Sequence, residues 1–153
     1  MDFGGRYLFT ASRDRVWTAL NDAEMLRAAI PGCEKLVWTS DIDLEAAIAV
    51  NLGVTKPRFT GDLTLSNVIP AQSYTLSGRG RGGLLGLAHG AADITLADHP
   101  DGCVLEFNAR GAASNTIMKL GRSLIGKSAQ RVIDGFFERF ADAMDTVVVP
   151  LAD

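Results

Sequence analysis

The residues able to do chemistry are few, and their spacing does not assemble them. His89 and His99 stand in different contexts, one inside an alternating segment and one in a turn. Neither has a carboxylate or a second ligand at metal-binding spacing, so both read as structural or solvent-facing histidines. No serine lies in a nucleophile-elbow motif. Gly78-Arg79-Gly80-Arg81-Gly82-Gly83 has a superficial likeness to a phosphate loop. It lacks the Lys-Ser/Thr ending and the strand-to-helix context that would aim N–H groups at phosphate. Cys33 follows Pro31-Gly32 and reads as a small buried apolar residue rather than a reactive thiol. Cys33 and Cys103 give neither a metal pattern nor a disulfide framework, and reduced cytosolic thiols are the simplest reading. Glu106, Asn108 and Arg110 read as the solvated face of a strand. No catalytic residue, metal ligand or cofactor is expected from these groups.

The glycine-rich stretch has a second reading. Gly82-Gly83-Leu84-Leu85-Gly86-Leu87 is a flexible apolar tip between two strands, flanked by Arg79 and Arg81. Leucines on such a loop beside arginines suit contact with an anionic membrane surface, or a gate over a cavity. The plainer alternative folds these leucines back into the core.

The elements that must position these residues follow from periodicity. Phe3 to Phe9 reads as a strand. Ser12 caps a short helix with Val16, Trp17 and Leu20 on its apolar side. Asn21 and Glu24 are spaced as a capping box for a second short helix through Ile30, which Pro31-Gly32 stops. Strands follow from Glu34 to Thr39 and through strictly alternating sets: Leu44 to Leu52, Phe59 to Leu65, Tyr74 to Gly78, Ala88 to Leu96 and Cys103 to Ala109. Hairpin-length spacing predicts one antiparallel sheet. From Asn115 to Val148 the apolar residues fall at helical spacing, from Ile117 and Leu120 to Met144 and Val147. That helix is hollow in its first half. Gly121, Gly126 and Ser128 sit among bulky residues, and two helical glycines cost roughly 2 kcal/mol relative to alanine. A slim helix laid across a curved sheet leaves room for an apolar cavity. The fold class is α+β, with a domain over residues 1–148 and a short tail over 149–153.

At 153 residues the chain can hold a single domain with a sizeable core. A net charge of -3 argues against nucleic acid as a partner. There is no apolar stretch of signal-peptide length near the start, nor a run long enough to cross a bilayer, so a cytoplasmic location is expected.

Phe3, Trp17-Thr18-Ala19-Leu20-Asn21-Asp22, Ile30-Pro31-Gly32-Cys33-Glu34, Tyr74-Thr75-Leu76-Ser77-Gly78-Arg79-Gly80 and Phe136-Phe137-Glu138-Arg139-Phe140-Ala141 run in order along nearly the whole chain. In these stretches the sequence resembles the carbon monoxide dehydrogenase G-subunit family of the START-like (SRPBCC) helix-grip superfamily. The resemblance implies about seven antiparallel strands gripping the C-terminal helix around an apolar cavity. It implies a non-enzymatic accessory role beside a molybdenum-containing dehydrogenase. It further implies a hydrophobic ligand, an isoprenoid quinone being the leading candidate, and peripheral contact with the cytoplasmic face of the inner membrane.

On that footing the expected cavity lies between Phe59, Leu63, Leu76, Ile94, Leu105 and Phe107 on the strands and Leu120, Leu124 and Ile125 on the helix. Gly61, Gly78, Gly90, Gly121 and Ser128 leave the room opposite. Arg79, Arg81, Leu84, Leu85 and Leu87 form its mouth or membrane-facing tip. Two other functions stay open. A START-like enzyme of cyclase or hydrolase type would need a convergent acid–base pair in the cavity. A purely structural assembly factor would fill the cavity with its own side chains.

Overall fold

The computed structural model describes residues 2–49, 56–83, 86–113 and 129–152. Within them the chain forms β1 (Asp2–Phe9), α1 (Arg13–Leu20), α2 (Ala23–Ala29), β2 (Cys33–Trp38), β3 (Asp43–Ala49), β4 (Arg58–Ile69), β5 (Ser73–Arg81), β6 (Leu87–His99), β7 (Gly102–Ala113), α3 (Ala129–Ala143) and β8 (Val148–Leu151). The eight strands make one curved, open sheet in the order β2-β3-β4-β5-β6-β7-β1-β8. Every neighbouring pair is antiparallel. The α+β reading and the antiparallel sheet therefore hold, with eight strands where about seven were expected.

The two short helices start on side-chain caps. The Ser12 hydroxyl accepts from the Arg15 N–H. The second cap differs from the expected one: Asp22, not Asn21, accepts from the Glu24 N–H. Asn21 is already used as the C-cap of α1, where its side-chain amide donates to the Trp17 carbonyl. Ile30, preceding Pro31, is extended, and Gly32 has a φ of 75°. A Cβ at Gly32 would collide with the Ala49 carbonyl oxygen, so only glycine lets α2 hand over to β2 here.

The C-terminal helix ends earlier than its apolar period implies. Asp145 takes a φ of 57°, Asp145 N–H donates to Asp142 O, and Thr146 N–H donates to Ala141 O. These two bonds and the left-handed residue are a Schellman stop. The Arg15 guanidinium also donates to the Met144 carbonyl at 2.9 Å, satisfying an orphan acceptor of that last turn. The chain then returns as β8, with Phe9 opposite Val148 and Arg6 opposite Leu151. Residues 148–151, expected as helix end and tail, thus form a sheet edge. The expected first half of the helix, residues 115–128, lies outside the described residues.

Alternation gives the sheet an inner face, covered by α1 and α3, and a polar outer face. Phe137 of α3 stacks on Tyr7 at 4.2 Å and meets Phe107 at 5.5 Å. Phe140 meets Phe9 edge-on at 6.0 Å, and Trp17 of α1 meets Tyr74 edge-on at 5.4 Å. Tyr7, Phe9, Val16, Leu105 and Phe140 are essentially inaccessible. On the outer face Arg110 donates to Asp93 at 2.8 Å, and Arg6 approaches Glu106 at 3.9 Å. Glu106, Asn108 and Arg110 are all exposed, as the sequence implied.

Candidate ligand-binding site

The site is made by the strand register. On the inner face Ala46 stands opposite Gly61, Gly61 opposite Gly80, and Gly80 opposite Ala88. One row further, Leu63 stands opposite Gly78, Gly78 opposite Gly90, and Gly90 opposite Gly111. Apart from Leu63, residues with little or no side chain thus meet across five strands, and the sheet floor there carries little above its backbone. Larger residues border this floor: Leu44, Ile48 and Phe59 on one side, Leu65, Tyr74 and Leu76 on the other. Leu20 of α1, Leu26 of α2 and Phe136 of α3 complete the wall. The result is an apolar pocket of about 520 Å³.

The glycines are not equivalent. A Cβ at Gly61 would come 2.7 Å from the Arg79 carbonyl oxygen, and one at Gly90 would come 2.9 Å from the Arg110 carbonyl oxygen. Backbone cannot move aside cheaply, so these positions hold glycine for close strand approach. At Gly78 the obstacle is the tip of Leu63, at 2.7 Å. At Gly80 nothing lies nearer than the Thr60 carbonyl oxygen at 3.7 Å, so the backbone there tolerates a side chain.

The sequence-expected wall residues divide into three groups. Phe59, Leu63 and Leu76 line the pocket together. Leu105 and Phe107 are sealed in the aromatic core, and Ile94 packs against that core beside them. Leu120, Leu124 and Ile125 lie outside the described residues, as do Gly121 and Ser128. Of the expected mouth, Leu84 and Leu85 also fall outside. Alternation turns Arg79, Arg81 and Leu87 to the outer face. There Leu87 is 68% exposed, and with Asp62, Arg79 and His89 it lines a second pocket, of about 590 Å³. The loop between them is tied by Gly82 N–H donating to Gly86 O, and the Phe59 ring lies against Gly82.

Sequence reasoning missed several wall residues. Leu44 and Ile48 were in an alternating set whose face was readable, but not its neighbour. Tyr74 carried the same signal, two residues before Leu76. Its phenol has its pKa raised by burial. Among the described residues no carboxylate lines the pocket, and no cluster of three His, Cys, Asp or Glu could hold a metal ion. His99 accepts from the Asp101 N–H through Nδ1, a turn-holding bond, and His89 is exposed on the outer face. Cys33, expected to be buried, is half-buried at the start of β2, whereas Cys103 is inaccessible. Burial pushes the Cys103 thiol pKa up.

The sequence profile of the carbon monoxide dehydrogenase G-subunit (CoxG) family matches residues 5–145. The chain belongs to that family. This span includes every described residue of the pocket wall, and CoxG is a family of accessory subunits. No curated protein matches the sequence. Among solved structures, a conserved protein from Geobacillus kaustophilus superposes with a TM-score of 0.80 at 20% identity, covering 97% of this chain and 99% of that one. A protein from Chromobacterium violaceum gives 0.72 at 14% identity, covering 94% and 96%. The di-domain ARO/CYC StfQ from the steffimycin biosynthetic pathway gives 0.62 at 12% identity, covering 94% of this chain and 50% of that one. At these identities the likeness is one of fold. No helix among the described residues is long and apolar enough to cross a membrane.

Proposed function

We propose that this CoxG-family protein is a non-enzymatic carrier or recruitment factor for a molybdenum-containing, carbon monoxide dehydrogenase-type enzyme, and that its pocket holds a hydrophobic ligand, an isoprenoid quinone first among candidates. The observation that carries the reading is the glycine-floored apolar pocket of about 520 Å³. It falls within the roughly 300–1,000 Å³ range of small-molecule sites and has room for a quinone ring with a short piece of its tail. The absence of a carboxylate from its described wall weighs against the cyclase- or hydrolase-type alternative, which needs an acid–base pair. An assembly factor without a ligand has no use for the void, whose lining forfeits dispersion contacts.

Membrane contact is the second part of the reading. Leu87 presents an exposed apolar side chain at the start of β6, with Arg81 directly opposite and Arg79 on the same face. Burying one leucine at the acyl boundary contributes at most about 1.5–3 kcal/mol, and each arginine near anionic lipid adds about 1 kcal/mol. That sum supports reversible docking.

The deciding experiment extracts the purified protein with organic solvent, analyses the extract by mass spectrometry, and titrates the stripped protein with a short-tailed naphthoquinone. A bound isoprenoid lipid, or saturable quenching of Trp38 on the pocket wall, is expected. An empty extract together with no quenching rejects the carrier reading. For docking, co-sedimentation with anionic vesicles should weaken in Leu87→Ser and in Arg79→Glu/Arg81→Glu. Parent-like sedimentation of both variants rejects the membrane role.

A further inference from the structure

Two tyrosines are buried on the inner face, and only one has its hydroxyl occupied. Tyr7, 1% exposed, donates to Asp134 Oδ1 at 2.7 Å. Tyr74, 7% exposed, makes the edge-on contact with Trp17, and among the described residues its hydroxyl meets no hydrogen-bonding group. A buried hydroxyl left without a partner is costly and rare. Yet no sealed side-chain nitrogen or oxygen lacks a partner among the described residues, so the Tyr74 oxygen opens on a space. The space that Tyr74 lines is the pocket.

Its position is fixed. Tyr74 belongs at once to the packed core and to the pocket wall, with its ring held by Trp17 and its backbone paired with Ile94. Leu65, Leu76 and Ala92 nearby offer it nothing to bond. The other described polar residues bordering the pocket are otherwise engaged or turned away. Trp38 Nε1 donates to the Asn21 carbonyl. Thr60, Arg79, His89 and Arg110 alternate with the inner-face residues and send their side chains to the outer face.

We infer that Tyr74 determines the pocket's specificity, its hydroxyl donating a hydrogen bond to a carbonyl-type oxygen on a lipophilic ligand. The inference rests on the pocket reading above and adds the chemistry that the pocket selects. Burial raises the phenol's pKa, so at neutral pH it is a protonated donor. A cationic ligand would be desolvated among aliphatic side chains, with no carboxylate among the described wall residues to meet it. A pure hydrocarbon would leave the hydroxyl unpaired. A lipophile with one acceptor oxygen satisfies both conditions.

The test compares the parent protein with Tyr74→Phe, using a singly prenylated naphthoquinone and the equally prenylated naphthalene that lacks both oxygens, with dissociation constants from equilibrium dialysis. The variant should bind the quinone about tenfold more weakly and the hydrocarbon within about twofold of the parent, as expected for one hydrogen bond. Equal weakening toward both probes, or no change toward the quinone, overturns the role of Tyr74 while leaving the pocket reading intact. If the parent binds neither probe, both readings fall. Should the variant not fold, the infrared carbonyl band of the quinone bound to the parent decides. It should lie below its position in hexane, and an unshifted band overturns the inference.

Discussion

The inner face of one sheet is used in two ways. In the half formed by β1, β7 and the far end of β6, bulky side chains pack against one another. Tyr7, Phe9, Phe107, Phe137 and Phe140 pack with ring centroids between 4.2 and 6.2 Å apart. In the half formed by β4, β5 and the near end of β6, the ladders run past the glycines without a register shift, but Gly61, Gly78, Gly80 and Gly90 stand where the rings would be. The backbone has not opened to make the pocket. Side-chain volume has been removed from a continuous sheet, so the packed half supplies the burial that lets the other half remain hollow.

That contrast can be broken most forcefully in the packed half. Phe140→Ala should destabilise the protein by about 3–5 kcal/mol, a fall in Tm of roughly 6–20 °C. Leu76→Ala, on the pocket wall, should cost less than about 2 kcal/mol, because its inner side already faces a void. Equal losses in thermal unfolding would mean that the two halves are packed alike.

The next largest effect should come from the glycine floor. Gly61→Ala places a Cβ against the Arg79 carbonyl and should cost about 1–3 kcal/mol in chemical denaturation. Gly80→Leu has open space at Cβ and should keep the parental stability, since a side chain suits a strand better than glycine does. It should instead weaken binding of the short-tailed naphthoquinone at least about tenfold, or about 1.4 kcal/mol. If Gly80→Leu binds as the parent does, the hollow half is not where the ligand sits.

The smallest effect concerns the outer face, which both halves share. Hydrogen bonds from Thr75 and Arg110 hold the Asp93 carboxyl below its ordinary pKa. A depressed pKa contributes stability that is present above the unfolded value, near about 4, and is lost as pH falls through the folded value. Asp93→Asn should therefore lower stability slightly at about pH 7, where an exposed pair contributes little, and leave it unchanged near about pH 2, so that the decline between them flattens. An unaltered acid-unfolding curve would show that the pair does not couple to folding.

The end of α3 shows why some of the structure could not be read beforehand. Val147 and Val148 continue the helical apolar period, while the stop is set by Asp145 in the left-handed region, a position usually marked by glycine. The capping of α2 shifted by one residue for a similar reason, since Asn21 offered a cap to both helices and α1 took it.

Apolar patterning and hairpin-length spacing, by themselves, determined seven of the eight strands, their antiparallel sheet and which residues share a face. The order of motifs determined the family. Alternation also put Gly61, Gly78 and Gly90 on one face with Phe59, Leu63 and Leu76, and those residues do meet. Only tertiary structure decided that Leu105 and Phe107, on that same face, belong to the core and not to the pocket wall. The physical reason is lateral position. A side chain's face follows from its own strand, but what covers it depends on strand order and on where the helices lie. β1 enters between β7 and β8, bringing Tyr7 and Phe9 beneath Phe137 and Phe140, and that closes one half of the face while Tyr74 is left at the border of the other.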